Sequence, residues 1–184
     1  GVQTCALPIS LMESYITING TVQRQRIKNG EISNQSDTYH KKYPQYFWWV
    51  QDEADDIFNA KHALGITFGD NLMAQHGKDF FGMIAIFPGL KNVVPTGQAQ
   101  DNDASRAASS FFGRFPKQII GRLSKADTVR LRSVVSENNI TDGQLAALQN
   151  ISQGDFLMNL IGKQATFMHV DLSQEEINLF GGGL

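Results

Sequence analysis

The feature that most limits the fold is a continuous apolar run that ends directly against acidic residues. Residues 46–50 read YFWWV, and residues 51–56 read QDEADD. Five bulky apolar residues without alternation are typical of a strand covered on both faces, as in the parallel sheet of an α/β domain. Ligands of such sheets bind beyond the carboxyl ends of the strands. The run therefore predicts a buried strand that brings Asp52 and Glu53 to a binding edge.

The rest of the chain alternates between helical and extended patterns. Strands are predicted at 46–50, 80–87, 118–123, 155–160 and 166–172, and helices at 10–27, 55–62, 68–78, 105–112 and 125–135. Thr141 with Gln144 and Ser173 with Glu176 have the spacing of capping boxes, which predicts two further helix starts. Strands that alternate with helices indicate an α/β domain with a largely parallel sheet, followed by a C-terminal β-hairpin and helix.

The first predicted helix carries an apolar stripe and a basic cluster. Leu11, Tyr15, Ile18 and Val22 follow helical spacing, which predicts an amphipathic helix over 10–27. The nearby basic residues are interpreted as a solvated face rather than a nucleic-acid site. They are Arg24, Arg26, Lys28, Lys41 and Lys42.

Length and charge limit the class of protein. The chain has 184 residues, of which 41% are hydrophobic and 18% charged, and this composition indicates one globular domain. The formal net charge of -2 gives no general attraction to nucleic acid or an anionic membrane. No apolar run approaches the roughly 20 residues of a membrane-spanning helix.

The first nine residues, GVQTCALPI, match the translation of a common sequencing-library adaptor. We therefore exclude residues 1–9 from the interpretation of the fold. We expect the natural sequence to begin near Ser10 in this chain and a further portion of the natural protein to precede it. Cys5, the only cysteine, falls in the excluded part. Disulfides, thiol catalysis and cysteine metal sites are therefore not expected.

The acid-terminated strand resembles the Walker B strand of P-loop NTPases. In that pattern the first acid, here Asp52, holds a magnesium ion through water, and the second, here Glu53, orients or deprotonates the water that attacks the γ-phosphate. The alternative is an ordinary core strand followed by a helix. The first turn of that helix would carry Asp55 and Asp56, whose charges suit its dipole.

A Walker B strand requires a phosphate-binding loop of the form G-x-x-x-x-G-K-[ST], and the sequence contains none. Gly77-Lys78 is followed by Asp79, and Gly162-Lys163 is followed by Gln164. Because this loop precedes Walker B in P-loop proteins, we expect it upstream of residue 10. The chain without it is expected to be inactive alone.

Two families place D-E-A at the Walker B position. Residues 52–55 spell the D-E-A-D of the DEAD-box RNA helicases, but the Ser-Ala-Thr and arginine-rich motifs of that family are absent. The better resemblance extends over nearly all of residues 10–184. The segments KDFFGMIAIF, SSFFGRFPKQIIGRLS and GDFLMNLIGKQATFMHVDLSQEE are similar, in order, to the C-terminal part of the ATPases that energise conjugation and type IV secretion, the VirB/TraC/TrsE kind.

This resemblance implies a RecA-like domain that binds ATP and Mg²⁺ and hydrolyses ATP. It implies a homo-hexamer docked under a membrane channel of the secretion system, hence a cytoplasmic protein peripheral to the inner face of the membrane; contact with DNA stays open. Such hexamers use an arginine that reaches the neighbouring subunit's nucleotide. Arg106, Arg114 and Arg122 are the candidates, and Arg114 is preferred.

One departure from the family concerns the strand after Walker B. Relatives often end it with a polar residue that senses the γ-phosphate, whereas this chain has Ile86-Phe87-Pro88. This departure puts sensing at that position in doubt. A second function therefore stays open: a RecA-like interaction module that has kept the acids but does not hydrolyse ATP. An upstream G-x-x-x-x-G-K-[ST] motif in the full-length gene would favour the ATPase.

Overall fold

The computed structural model of the chain describes residues 3–33, 43–94, 103–135, 139–160 and 162–180. The helices are α1 Gln3–Lys28, α2 Ala63–His76, α3 Asp103–Gly113, α4 Lys125–Val134, α5 Asp142–Ala147 and α6 Gln174–Phe180. The strands are β1 Phe47–Gln51, β2 Phe81–Ala85, β3 Lys117–Ile120, β4 Asp155–Leu160 and β5 Thr166–His169. The α/β class expected from the sequence is confirmed. Contacts divide the chain into two compact units, Gly1–Pro88 and Gly89–Leu184.

Helix α1 covers the predicted range 10–27 but begins earlier, at Gln3, and its buried face is not the apolar stripe. The predicted apolar stripe of Leu11, Tyr15, Ile18 and Val22 is 47% to 63% exposed. The buried positions are Ile16, Gly20 and Gln23. The apolar stripe that marked the predicted amphipathic helix is therefore not its buried face among the residues described. The reason is steric, because a Cβ at Gly20 would lie 2.6 Å from the Cβ of Asp79. Only a glycine at this position lets α1 lie so close to the turn at Gly77–Asp79.

In the first unit, β1 and β2 form a parallel pair. One face packs inward: Phe47 stacks on Phe81, and Trp49 contacts the fully buried Phe58. The other face is exposed, with Trp48 and Val50 each 58% accessible. The expectation of a strand covered on both faces is therefore wrong for the residues described, because β1 alternates between an inward and an outward face.

In the second unit, β3, β4 and β5 form an antiparallel sheet in that order. Strands β4 and β5 are the predicted C-terminal hairpin, with Gly162 in the left-handed region (φ 80°) at the turn between them. The expectation of a largely parallel sheet therefore holds for β1 and β2, whereas β3 pairs with the hairpin instead of extending the parallel pair. At the paired positions Gln118 of β3 and Asn159 of β4, the fully buried Asn159 side chain also donates to the Gln118 Oε1 atom at 2.8 Å.

Both predicted capping boxes are present. Thr141 and Gln144 exchange side-chain and backbone hydrogen bonds at the start of α5. At the start of α6, the Ser173 amide donates to the Glu176 carboxylate at 2.9 Å and the Ser173 hydroxyl accepts from the Glu176 amide. These reciprocal bonds satisfy amide groups that a helix cannot pair internally.

Candidate functional site

The two acids singled out by the sequence lie at the carboxyl end of β1, between two backbone hydrogen bonds. The Ile86 amide donates to the Gln51 carbonyl at 2.9 Å, and the Ala54 amide donates to the Ile86 carbonyl at 2.8 Å. Ile86 therefore holds the chain immediately before and immediately after Asp52-Glu53. Both acids are exposed. The arrangement presents two carboxylates to solvent from a backbone that is fixed on each side.

The backbone of Glu53 adopts a conformation that is uncommon for a residue with a Cβ. Its φ of 48° and ψ of 52° lie in the left-handed region, which costs a non-glycine residue on the order of 1 kcal/mol. Within the chain's described residues, Phe80 is the one other non-glycine residue with positive φ, and it comes directly before β2. Observed backbone strain of this kind is found preferentially at functional sites.

The residues that follow the acids form a short turn rather than a full helix. Ala54–Asp56 is a 3-10 turn that carries Asp55 and Asp56, and the buried Ala54 anchors it. The dipole explanation for these two acids is weakened, because a single 3-10 turn has a much smaller dipole than a long helix. At the end of the neighbouring strand the side chains are Ala85, Ile86 and Phe87, so β2 brings no polar group toward the acids.

The three candidate arginines all lie in the second unit and are exposed. Arg106 is in α3, Arg122 lies between β3 and α4, and Arg114 directly follows α3. The end of α3 is firmly anchored, because Phe111 and Phe112 are buried and the Phe112 carbonyl accepts a hydrogen bond from the Gln118 side chain at 3.1 Å. Arg114 therefore follows directly after an anchored helix end, and a functional arginine needs such a fixed support.

A third group of charged residues, which sequence reasoning missed, lies elsewhere in the first unit. Asp79, only 5% exposed, is bonded to the Arg24 guanidinium of α1 and to the Nδ1 atom of His76, the latter at 2.9 Å. The Arg24 side chain is 47% exposed, in keeping with a solvated face, but its guanidinium also pairs with this buried carboxylate. The i, i+3 spacing of His76 and Asp79 was a visible signal, but Arg24 is 55 positions from Asp79 and no local pattern links them.

Burial and hydrogen bonding act in opposite directions on the carboxyl group of Asp79. Burial alone raises the pKa of Asp79, because it disfavours the charged form. The hydrogen bonds and charges of Arg24 and His76 outweigh that effect, so the pKa of Asp79 lies below its usual value. This carboxylate is a structural ion-pair partner that joins α1 to the turn before β2.

Two further features of the described residues bear on function. No described helix is long and apolar enough to cross a membrane. No cluster of three or more His, Cys, Asp or Glu side chains suited to a metal ion occurs among the residues that the structure describes.

Comparison with known proteins gives a likeness of fold. No protein-family model matches the chain, and no curated protein matches it. Among solved structures, VirB4 of Thermoanaerobacter pseudethanolicus is similar, with a TM-score of 0.55 and 15% sequence identity. The similarity covers 72% of this chain and 33% of that one, so the chain spans about one third of that neighbour's length. At this identity the comparison shows a VirB4-like fold.

Proposed function

We propose that residues 10–184 are the C-terminal part of the RecA-like ATPase domain of a motor for conjugative transfer or type IV secretion. The observation that carries the proposal is the exposed Asp52-Glu53 pair at the carboxyl end of a parallel strand. A parallel strand end is where α/β proteins bind their ligands. The VirB4-like fold supports the same assignment, since it is the fold expected of a type IV secretion ATPase.

The two acids would divide the work of ATP hydrolysis. Asp52 would hold Mg²⁺ through water, and Glu53 would accept a proton from, or orient, the attacking water. The residues fit this ion, because Mg²⁺ in nucleotide sites is held by one or two carboxylates together with the substrate phosphates. The bound Mg²⁺ would neutralise part of the negative charge of the phosphates. Asp52 and Glu53 are exposed, so both carboxylates are accessible to such a ligand.

The remaining features of the motor follow from the family resemblance. The phosphate-binding loop would lie upstream of residue 10, and residues 1–9 would not belong to the natural protein. The full protein would work as a homo-hexamer with channel components of the secretion system, on the cytoplasmic side of the membrane and peripheral to it.

The test of this function uses the full-length protein. Glu53→Gln keeps the size of the side chain but removes the charge that acts on water. We expect it to lower ATP turnover at least about 100-fold while nucleotide binding is retained. Asp52→Asn removes a ligand of the ion's water shell, so it should also weaken magnesium-dependent nucleotide binding. Turnover is measured by phosphate release and binding by a fluorescent nucleotide.

Asp56→Asn is the matched control, because Asp56 is an exposed acid in the same turn. It should leave both turnover and binding unchanged. Normal turnover in Glu53→Gln would contradict the assignment and favour a module that does not hydrolyse ATP. Equal losses of binding and turnover in the two variants would contradict the division of roles between Asp52 and Glu53.

We further propose that Arg114 is the arginine that completes the neighbouring subunit's site. An arginine of this kind contributes about 10³ to 10⁵ in rate in related phosphoryl transfers. Mixing inactive Arg114→Ala subunits with inactive Glu53→Gln subunits should restore part of the activity, because some interfaces then pair an intact Glu53 with an intact Arg114. Mixed hexamers that form but stay inactive would argue for Arg122 instead.

A further inference from the structure

The peptide bond between Asp52 and Glu53 is held by side chains, whereas the backbone of Ile86 bonds the peptides on either side of it. The Asp52 Oδ1 atom accepts from the Glu53 amide at 3.0 Å, on one side of this peptide. The Gln51 Nε2 atom donates to the Asp52 carbonyl at 2.7 Å, on the other side. Both polar groups of one peptide are thus bonded to neighbouring side chains. The orientation of that peptide sets the backbone angle φ of Glu53.

Gln51 is the unexpected residue in this arrangement. It shares the inward-facing register of β1 with Phe47 and Trp49, where the pattern of the strand would place another apolar residue. Its side-chain amide does not extend the apolar contacts of Phe47 and Trp49 but donates to the Asp52 carbonyl just beyond the strand. A leucine or valine at this position could pack with Trp49, yet it could not donate to the Asp52 carbonyl.

We propose that Gln51 is a positioning residue that holds the Asp52-Glu53 peptide and thereby keeps Glu53 in its left-handed conformation. The inference deepens the proposed function and rests on it for the catalytic consequence. A left-handed residue without support returns to negative φ, because its Cβ is crowded by the backbone. Loss of the Gln51 hydrogen bond would therefore let the Glu53 carboxylate leave the orientation that the fixed peptide imposes.

The first experiment measures thermal stability and does not depend on ATP hydrolysis. Glu53→Gly removes the Cβ that makes a φ of 48° unfavourable. It should raise the Tm of the 184-residue chain by about 2 °C, which is the shift that a small gain in the free energy of unfolding gives in a protein of this size. In a Gln51→Leu background the Asp52 carbonyl loses the bond from Gln51, so the peptide can turn and relieve the strain. Glu53→Gly should then give no rise.

The matched control is Gln75→Leu, which replaces an exposed glutamine on α2. The rise from Glu53→Gly should persist in that background, since distant sites behave additively. An equal rise in the Gln51→Leu and Gln75→Leu backgrounds would overturn the inference. The absence of any rise in the otherwise unchanged chain would also overturn it, because Glu53 would then carry no strain to relieve.

The second experiment measures ATP turnover by the full-length protein. Gln51→Leu should lower kcat about 10-fold to 100-fold and leave nucleotide affinity unchanged, as expected of a residue that orients a ligand without touching the substrate. Gln75→Leu should leave kcat unchanged. An unchanged kcat in Gln51→Leu, together with the expected stability result, would overturn the positioning role. A full-length protein with no turnover at all would instead contradict the proposed function, while the stability experiment would still decide whether Gln51 holds the peptide.

Discussion

Asp52 and Glu53 stand exposed at the end of β1, whereas Asp79 lies almost wholly buried between Arg24 and His76. The Asp79 carboxylate is fully engaged by its partners, and a Cβ on Gly20 would collide with it. At Asp52-Glu53, by contrast, both acids are exposed to solvent and Glu53 has an unfavourable backbone conformation. The comparison separates acids that hold the structure together from acids that are available to a ligand.

The largest expected effect that tests this comparison is on stability. Asp79→Asn removes the negative charge opposite Arg24 and His76 and leaves their donors poorly satisfied. We expect it to lower the free energy of unfolding by about 2 kcal/mol. Asp52→Asn, at an exposed site, should change it by less than about 0.5 kcal/mol. Urea unfolding of the 184-residue chain measures both, and equal losses would remove the distinction between the two kinds of acid.

The smaller expected effect is on the pH dependence of stability. The pKa of Asp79 is lowered in the folded state, so its contribution is present above its ordinary value of about 3.8 and is lost as the pH falls through the folded value. The pKa of Asp155 is lowered in the same direction, chiefly by the hydrogen bond from His169. We therefore expect the protein to lose stability as the pH falls below about 4, where both carboxylates begin to take up protons.

Asp79→Asn should flatten this acid dependence, because the variant lacks the carboxylate whose protonation causes part of it. Asp52→Asn, which removes an exposed acid instead, is the reference with which the slope of unfolding free energy against pH in Asp79→Asn is compared. Parallel slopes in Asp79→Asn and the unchanged chain would show that Asp79 is not the group that titrates.

Local elements of the fold were largely predictable. β1 and β2 lie within one or two residues of their predicted bounds, and the capping boxes at Thr141 and Ser173 form as their spacing indicates. Helix α3 ends at Gly113, one residue beyond its predicted end. Each of these features depends on residues within a few positions of one another, so the chemistry that forms it can be recognised in a short window of sequence.

The candidate site was predictable in part. The position of Asp52 and Glu53 follows from the end of an apolar run, but the left-handed backbone of Glu53 and the Gln51 hydrogen bond that we connect with it do not. Side-chain bonding at a strand end depends on how the chain leaves the sheet. The roles of the two acids and of Arg114 stay predictions.

By itself, the sequence determined the α/β class, the hairpin, the helix caps and the acids at the end of β1. Tertiary structure alone decided which face of α1 is buried, because Gly20 lies against Asp79 and Ile16 is fully buried, while the more apolar stripe stays exposed. It alone paired Arg24 with Asp79 and β3 with β4. The physical reason is that periodicity specifies which residues share a face, whereas burial and pairing depend on partners far away in the chain.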